Sequence, residues 1–372
     1  MYIKKKSPEK IHKTPVLQQT AFWAKVKQKM GIIPQAFDVR TRSDEIYVHA
    51  TEQRSIDDDL LILLQPVGEN DLIGYIPYGP TLDPDDENQG PFLEELSESL
   101  RPLLPKNCVL LRYDLRWESP WAKDSAYYNE QGIWTGPPSS INQEIRINFG
   151  TQYWNLKKAN TNILPADTVF IDLDQDEDTL LEKMKPKTRY NIRLSGRKGV
   201  KVRRSNEKDL NLWYKLYRYT ASRNHIYLHD PEYFKSVLAT ETENLRSPAR
   251  VDLLIAEKNN EPLAAMFLVM AGERATYLFG ASSSQNRNLM PTYALQWKAI
   301  QRARTKGCRY YDMFGIAPNP DPAHPLYGLY RFKTGFGGNI FHRMGCWDYP
   351  LDETAYDNYL ISELNSQGYH LR

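Results

Sequence analysis

The segment that most restricts the fold is a run of strand-like residues followed by a helix and a further strand. Residues 250–281, RVDLLIAEKNNEPLAAMFLVMAGERATYLFGA, turn at 259–261 and 271–273 and predict a three-stranded antiparallel meander. Residues 291–307, PTYALQWKAIQRARTKG, begin with Pro and end with Gly, which is typical of a helix. Because 308–316, CRYYDMFGI, is again strand-like, this part of the chain predicts one mixed sheet with a covering helix.

The first half of the chain has the same order of elements. A helix is predicted at 18–31, with Phe22, Val26 and Met30 on one face, and another at 92–104. Strands are predicted at five runs: 37–41, 45–50, 60–67, 72–80 and 108–115. The order helix, strands, helix, strand therefore occurs twice, without any repeat of individual residues.

A chain of 372 residues is long for one hydrophobic core, so two domains are expected. We predict the α/β (α+β) class, with two N-acetyltransferase-like (GNAT-like) domains, each a mixed twisted sheet flanked by helices. The first domain is predicted to comprise 1–163 plus 345–372, and the second 164–344. The polar, turn-rich residues 116–165 would connect them.

Cysteine usage and the absence of long apolar runs indicate the compartment. Cys108, Cys308 and Cys346 are isolated, which argues against a disulfide scaffold or a zinc cluster. No stretch approaches the roughly 20 apolar residues of a transmembrane helix, and no apolar run follows the basic N-terminus as in a signal peptide. We expect a cytoplasmic protein. Five lysines in the first 13 residues would also allow peripheral contact with the inner face of an anionic membrane.

The stretch KPKTRYNIRLSGRKGVKVRR (185–204) concentrates positive charge. From Lys183 to Arg204 there are ten Lys or Arg and no acid, whereas the rest of the chain has 38 basic and 46 acidic residues. A solvated helix usually mixes charge signs, so this stretch favours a polyanionic partner over an ordinary surface. One helix is predicted over 179–195, with an inward stripe formed by Leu181, Met184, Thr188, Ile192 and Ser195.

The stretch GLYRFKTGFGGN (328–339) is the most unusual one. One interpretation makes Lys333 a fixed cation on a loop, with Gly335, Gly337 and Gly338 letting backbone approach a ligand closely. The alternative is a hairpin turn with a lysine in solvent. The stretch is not a P-loop, since no Gly-Lys-Ser/Thr closes it, and it does not join a strand to a helix as a dinucleotide fingerprint does.

Other candidate chemistry is weak. His225 and His229 are four residues apart, but Asp230 and Pro231 indicate that the helix ends there, so no metal site is expected. No serine or cysteine lies in a nucleophile elbow, and no acid–base pair stands out. If the protein is an enzyme, its substrate is already activated, and its task is positioning and charge stabilisation. Residues 282–292 lack the glycines that an acyl-CoA transferase needs before its pyrophosphate-binding helix.

Several motifs, in this order along the chain, resemble the Fem (FemABX) family of peptidoglycan-bridge aminoacyltransferases, in a short form without the coiled-coil arm. The first half contributes FWAKVK (22–27), YIPYGP (75–80) and LRYDL (111–115). The second half contributes KPKTRYNIRLSGRKGVKV (185–202), LYRYTASRNHI (216–226), YLFGASS (277–283), YYDMFGI (310–316) and LYRFKTGFGG (329–338).

The resemblance implies a function. Family members take an amino acid from aminoacyl-tRNA and attach it to the stem peptide of a cell-wall precursor, using neither ATP nor metal. The first domain would then bind a UDP-linked or lipid-linked muropeptide and the second the tRNA, in a protein expected to be a monomer without cofactors. Glycine, alanine and serine all remain open as the transferred amino acid. An acyl-CoA-dependent N-acyltransferase and a non-catalytic RNA-binding protein remain as alternatives.

The resemblance also implies roles for particular residues. Lys333, after Phe332, would stabilise the oxyanion formed when the amine attacks the ester. His229 and Phe279 stand where smaller members have an arginine and a tyrosine, and Arg223 is a candidate to supply the missing charge. The precursor would contact Lys27, Tyr78, Asp114, His229, Tyr233 and Phe279. The tRNA would contact Lys183, Lys187, Arg189, Arg193 and Arg197.

Overall fold

The computed structural model describes residues 1–50, 52–224 and 226–364. The chain divides into two compact units. The first comprises 1–166, 244–247 and the described residues from 342 onward; the second comprises 167–243 and 248–341. The predicted boundaries after 163 and 344 lie three residues from these, and the sequence did not indicate that 244–247 belongs with the first unit. That segment is held there because Ser247 Oγ accepts a 2.8 Å hydrogen bond from the Ala21 amide.

The first unit contains a mixed sheet with helices. Its strands are β1 (Tyr2–Lys6), β2 (Ile33–Arg42), β3 (Ser55–Val67), β4 (Asp71–Pro77), β5 (Cys108–Glu118), β6 (Lys157–Lys158) and β13 (Asn339–Pro350). Its helices are α1 (Ala21–Lys29), α2 (Ser43–Ile46), α3 (Gln89–Leu100), α4 (Ser140–Asn148) and α11 (Glu353–Leu364). The strands lie in the order β1-β2-β3-β4-β5-β13, with β6 also on β13. Neighbours are antiparallel except β4 and β5, which are parallel.

The second unit contains another mixed sheet. Its strands are β7 (Asp167–Asp172), β8 (Lys201–Ser205), β9 (Ala249–Lys258), β10 (Glu261–Ala271), β11 (Arg274–Ser282) and β12 (Tyr310–Asp312). Its helices are α5 (Glu177–Lys183), α6 (Pro186–Arg197), α7 (Leu210–Asn224), α8 (Pro231–Leu238), α9 (Pro291–Thr305) and α10 (Tyr327–Lys333). The order is β7-β12-β11-β10-β9-β8. The predicted meander is confirmed as β9, β10 and β11, and the parallel pair is β11 and β12.

The two sheets have the same arrangement. Each contains a three-stranded meander, β2-β3-β4 or β9-β10-β11, whose last strand pairs in parallel with the strand that follows a helix. That helix is α3 in the first unit and α9 in the second. An antiparallel strand then completes each series, β13 arriving late in the chain and β7 preceding the meander. The prediction of two N-acetyltransferase-like domains is confirmed.

Each crossover helix packs its apolar face on its own sheet. Leu93, Leu96 and Leu100 of α3 are fully buried in the core of the first unit. In the second unit, Leu295, Ala299, Ile300 and Ala303 of α9 are buried at the spacing of one helix face.

Three predicted elements differ from the structure. The strand predicted at 45–50 is wrong: the chain turns into α2, where the Glu45 carboxylate accepts hydrogen bonds from the Arg42 amide and the Thr41 hydroxyl. The strand predicted at 308–316 is shorter, because only β12 pairs. The helix predicted over 179–195 is two helices, α5 and α6. Pro186 disfavours a helical conformation for the residue before it, and Lys185 is extended at φ −57° and ψ 143°.

Candidate active site

Lys333 is the last residue of α10, so neither the loop nor the hairpin predicted for 328–339 is correct. A 3₁₀ turn over Thr334–Phe336 follows the helix, and Gly337, at φ +82°, ends it in the left-handed region that favours glycine. Lys333 is only 4% exposed, whereas a hairpin lysine would be in solvent. The neighbouring Phe332 packs edge-on against Tyr293, with ring centroids 5.1 Å apart.

The ammonium of Lys333 is held by backbone oxygens. Nζ donates to the carbonyls of Phe314, at 3.2 Å, and Gly315, at 2.8 Å. It also lies 5.1 Å from the centroid of the Tyr277 ring. Burial lowers the pKa of Lys333 to about 7, while the negative charge of Asp312 acts in the opposite direction. The site therefore contains a buried amine that gains and loses its proton near neutral pH.

Asp312 builds the turn that supplies those carbonyls. Its Oδ1 accepts a 2.5 Å hydrogen bond from Thr168 Oγ1 and a 2.8 Å bond from the Phe314 amide. Phe314 has φ +60°, an unusual conformation for a bulky residue, which depends on support from the surroundings. Sequence reasoning missed this role. The available signal was an aspartate directly after the strand-like YY of YYDMFGI, two residues before an aromatic residue.

The glycines that follow Lys333 pack against the chain itself. A Cβ on Gly335 would lie 2.4 Å from Thr188 Oγ1, one on Gly337 2.5 Å from the Lys183 carbonyl, and one on Gly338 2.5 Å from the Phe170 carbonyl. The prediction that these glycines let backbone approach a ligand is therefore corrected. They allow α5, α6 and β7 to pack closely against the chain that follows Lys333. The Gly335 carbonyl also accepts a 2.9 Å hydrogen bond from the Lys185 amide. This contact fixes the segment after Lys333 to the start of α6.

The basic stretch surrounds that junction. The predicted inward face of α6 is correct, since Thr188, Ile192 and Ser195 are buried. Arg189 is not a free surface cation: its Nη1 donates to the carbonyls of Leu181, Glu182 and Met184 and so caps the end of α5. The exposed cations of the stretch that make no ion pair with an acidic residue, in the part of the chain that the structure describes, include Lys183, Lys187, Arg193 and Arg197.

Three residues predicted to bind precursor meet in the second unit. The His229 ring stacks on Tyr233 at 4.8 Å between centroids, and Phe279 lies 5.8 Å from His229 and 5.6 Å from Tyr233. Arg223, at the end of α7, donates to the Ser282 carbonyl at 3.1 Å. His229, Tyr233 and Phe279 form an aromatic cluster with one imidazole, in which Tyr233 is buried and the other two are partly buried. His225, the other member of the predicted histidine pair, lies outside the described residues.

Asp114 lies in the interior of the first unit. It is fully buried, and its Oδ2 accepts hydrogen bonds from Tyr75 Oη, at 2.9 Å, and from the Leu164 amide, at 2.8 Å. Burial raises the pKa of Asp114 to about 6, although both hydrogen bonds lower it. This geometry makes Asp114 a residue that fixes the chain near 164, while the precursor contact that the resemblance implied for it stays a prediction.

Lys27 and Tyr78 are the other predicted residues of the first unit. Lys27 is half-buried on α1, 5.0 Å from the Trp23 ring centroid, and burial lowers its pKa to about 8. Tyr78 has φ +47° and donates from Oη to the Pro165 carbonyl at 2.6 Å. The Arg343 guanidinium lies 4.5 Å from the centroid of the Tyr78 ring. Contacts within the first unit therefore hold both Lys27 and Tyr78 in place.

The described residues contain neither a cluster of metal ligands nor a helix suited to crossing a membrane. No group of three or more His, Cys, Asp or Glu is placed to hold a metal ion in 1–50, 52–224 and 226–364. Within the same residues, no helix combines the length and apolar character needed to cross a bilayer.

Two N-acetyltransferase-like units, with a buried amine next to a basic surface in the second, define a tandem fold of acyltransferase type. The sequence model of the FemAB family matches residues 9–247 and 239–363. The chain therefore belongs to the FemAB family, as its motifs indicated.

Curated relatives and a solved structure agree with this family. A lipid II:glycine glycyltransferase of Staphylococcus haemolyticus is 24% identical over 254 residues, which cover 52% of this chain and 61% of the relative. A protein of the same name from Staphylococcus epidermidis is 27% identical over 251 residues, or 52% and 60%. The chain thus matches less than two thirds of the length of these relatives. A crystal structure of FemX covers 97% of this chain and 100% of its own, with TM-score 0.72 and 18% identity, which supports the fold.

Proposed function

We propose that this protein is an aminoacyltransferase that transfers an amino acid from aminoacyl-tRNA to the side-chain amine of the stem peptide of a peptidoglycan precursor. The observation that carries this proposal is the buried ammonium of Lys333, held by the Phe314 and Gly315 carbonyls at the edge of a basic surface. Membership of the FemAB family and the glycyltransferase names of its relatives support it.

The proposed reaction is attack of a free amine on the aminoacyl ester. A C–N bond forms, the carbonyl oxygen becomes O⁻, and the protonated Lys333 stabilises that charge. The C–O bond to the tRNA ribose then breaks, and the ribose oxygen leaves with the proton that the amine has lost. Removing one such donor typically costs about 10²–10³ in rate. Because the ester is already activated, the proposal requires neither ATP nor metal, and adding a chelator to the assay tests this.

The proposed donor site is the exposed face of α6. Several phosphate contacts would give salt-dependent binding without base readout. The hydrogen bond between the Lys185 amide and the Gly335 carbonyl would hold this surface at a fixed distance from Lys333. Charge reversal should raise the KM for aminoacyl-tRNA and reduce its salt slope by about one for each phosphate that is no longer neutralised. The variants are K187E, R193E and R197E, with the exposed K306E as the matched control.

A lipid-linked precursor is the proposed acceptor and glycine the first amino acid to test, because the relatives are named for both. The aromatic cluster of His229, Tyr233 and Phe279 in the second unit is proposed to contact the precursor, and Lys27 of the first unit is a separate candidate contact. The proposed nucleophile is a side-chain amine of the stem peptide, such as that of lysine, once it has lost its proton.

The deciding experiment is transfer of labelled amino acid from charged tRNA to UDP-linked and lipid-linked muropeptides. Glycyl-, alanyl- and seryl-tRNA are each tested, with labelled acetyl-CoA in a parallel reaction. Product with at least one charged tRNA supports the proposal. Acetylation from acetyl-CoA with no transfer from any charged tRNA would replace it with an acyl-CoA-dependent N-acyltransferase.

A further inference from the structure

An apolar ridge projects from the first unit on α4 and the turn that follows it. Its members are large apolar side chains that are each between 50% and 77% exposed: Ile141, Ile145, Phe149, Tyr153 and Trp154. Ile141 and Ile145 are four residues apart and lie on one face of α4, and Phe149 is the extended residue directly after the helix. Large exposed apolar side chains grouped in one short segment are informative, whereas single scattered ones are not.

The opposite face of α4 attaches the helix firmly to the unit. Gln143, Ile147 and Asn148 are buried there. Gly90 of α3 permits very close packing, because a Cβ at that position would lie 1.6 Å from the Ile147 carbonyl oxygen. The helix therefore has a well-packed inner face, and the ridge residues point away from it.

Buried hydrogen bonds also fix the turn that carries Tyr153 and Trp154. The Glu94 carboxylate accepts from the amides of Gln152, at 2.5 Å, and Tyr153, at 2.8 Å. The Asn148 side chain bonds Leu156 twice, donating to its carbonyl and accepting from its amide. Trp154 itself has φ +54°, a conformation that costs free energy for a bulky residue. These hydrogen bonds therefore hold Tyr153 and Trp154 at the surface of the unit.

We propose that this ridge enters the interfacial layer of the lipid bilayer that carries the precursor. This inference rests on the proposed function, because it assumes a lipid-linked acceptor. Trp and Tyr favour the membrane interface, and Ile and Phe favour the acyl boundary below it. The one acid within 139–158, Glu144, uses its carboxylate to accept from the Lys158 amide at 2.9 Å. The remaining charges of that segment are basic, but Arg146 pairs with Asp86 at 3.6 Å and Lys158 Nζ donates to the Cys346 carbonyl at 2.7 Å, so the inference rests on the apolar side chains and not on charge.

A bilayer fits this ridge better than a second copy of the chain does. Five side chains that are half exposed or more offer on the order of 500 Å². A stable protein–protein interface needs about 800 Å² from each partner. Insertion into a bilayer has no such threshold, since each apolar side chain contributes separately.

Vesicle binding tests the proposal directly. The full chain is sedimented with vesicles of phosphatidylglycerol and phosphatidylcholine, and we expect the double variant I145S/F149S to bind at least about tenfold more weakly than wild type. The variant should fold normally, because both side chains are exposed; circular dichroism checks this. Tyr219→Ser, which removes an aromatic ring of comparable exposure from the second unit, is the matched control and should bind as wild type does.

An activity comparison separates membrane docking from catalysis. The I145S/F149S variant should lose transfer to a lipid-linked acceptor in vesicles and keep transfer to a soluble UDP-linked acceptor. If no transfer is found with any acceptor, the proposed function fails, while variant-sensitive vesicle binding still supports the ridge.

Other results would overturn the inference. Wild-type protein that ignores vesicles, or I145S/F149S that binds them equally well, contradicts it. So does vesicle binding that depends only on the N-terminal Lys4 and Lys5. A dimer in sedimentation velocity that this double variant dissociates, without vesicle binding, would assign the ridge to a second copy of the chain.

Discussion

Replacing Lys333 by methionine should change the stability of the protein in a pH-dependent way and remove its activity. Burial lowers the pKa of Lys333 to about 7, from about 10.4 in an unfolded chain. The unfolded state therefore binds more protons between these values, and wild-type stability rises with pH across them. The cost of the buried charge is fully present below pH 7 and disappears above about pH 10.4.

The magnitude follows from the size of the shift. Each unit of pKa corresponds to 1.36 kcal/mol, so the buried amine costs about 5 kcal/mol at pH 6 and about 2 kcal/mol at pH 9. Methionine removes this cost but leaves the Phe314 and Gly315 carbonyls without their donor, a penalty of about 1–3 kcal/mol each. That penalty does not depend on pH. The gap, which is the free energy of unfolding of K333M minus that of wild type, should therefore fall by about 3 kcal/mol from pH 6 to pH 9.

Urea unfolding at several pH values, followed by tryptophan fluorescence, measures this gap. The exposed Lys306→Met is the control and should show no pH-dependent difference from wild type. In the transfer assay, K333M should lose about 10²–10³ in kcat/KM and keep its affinity for the precursor. A stability gap that is the same at pH 6 and pH 9 would refute the reasoning, because it would mean that Lys333 remains charged throughout.

Three further predictions concern the same site. For wild type, kcat/KM should rise with pH up to about 7 and then level off; a pH titration of transfer checks this. Above pH 7 the growing fraction of unprotonated acceptor amine is offset because Lys333 loses its own proton. Asp312→Asn should move that break to lower pH by removing the counter-charge, whereas Thr168→Val, which removes only a hydrogen bond to Asp312, should leave it unchanged. Gly337→Ala should lower the free energy of unfolding by about 2 kcal/mol or more, because its φ is positive and the new Cβ would overlap backbone atoms. Gly196→Ala, in open space on α6, is the control and should be neutral or stabilising in the same urea titration.

The sequence predicted best those features that repeat along the chain. The meander and the crossover helix α9 were visible because alternation and helix caps are local signals. The buried face of α6 was predicted for the same reason. Pro186 signalled the break between α5 and α6. Because the basic charge runs through this stretch without interruption, one helix was predicted there instead. The helix α2 was missed because residues 45–50 are strand-like in sequence. The helix depends on the Glu45 carboxylate, which accepts a hydrogen bond from the Arg42 amide.

The chemistry of the site was predicted less completely, because it depends on contacts between distant residues. The motif around Lys333 indicated a fixed cation, but its burial depends on the turn after β12. The glycines of that motif were visible, yet only the fold shows that they face Thr188 and backbone of the same chain. Periodicity contains no information about such long-range contacts, so the position of Asp312 after the strand was visible in the sequence, but its role in holding Lys333 was not.

Both units have a buried aspartate at the same position of the sheet, and its role differs between them. In each, a buried aspartate lies on the strand of the parallel pair that follows the crossover helix, where Asp114 is level with Pro77 and Asp312 with Thr276. Asp114 accepts from a backbone amide at Leu164 and so fixes the chain that leaves the first unit. Asp312 accepts from the amide of Phe314 and so presents carbonyl oxygens to Lys333. The same carboxylate position has therefore become structural in one unit, while in the other it shapes the turn that holds the proposed catalytic cation.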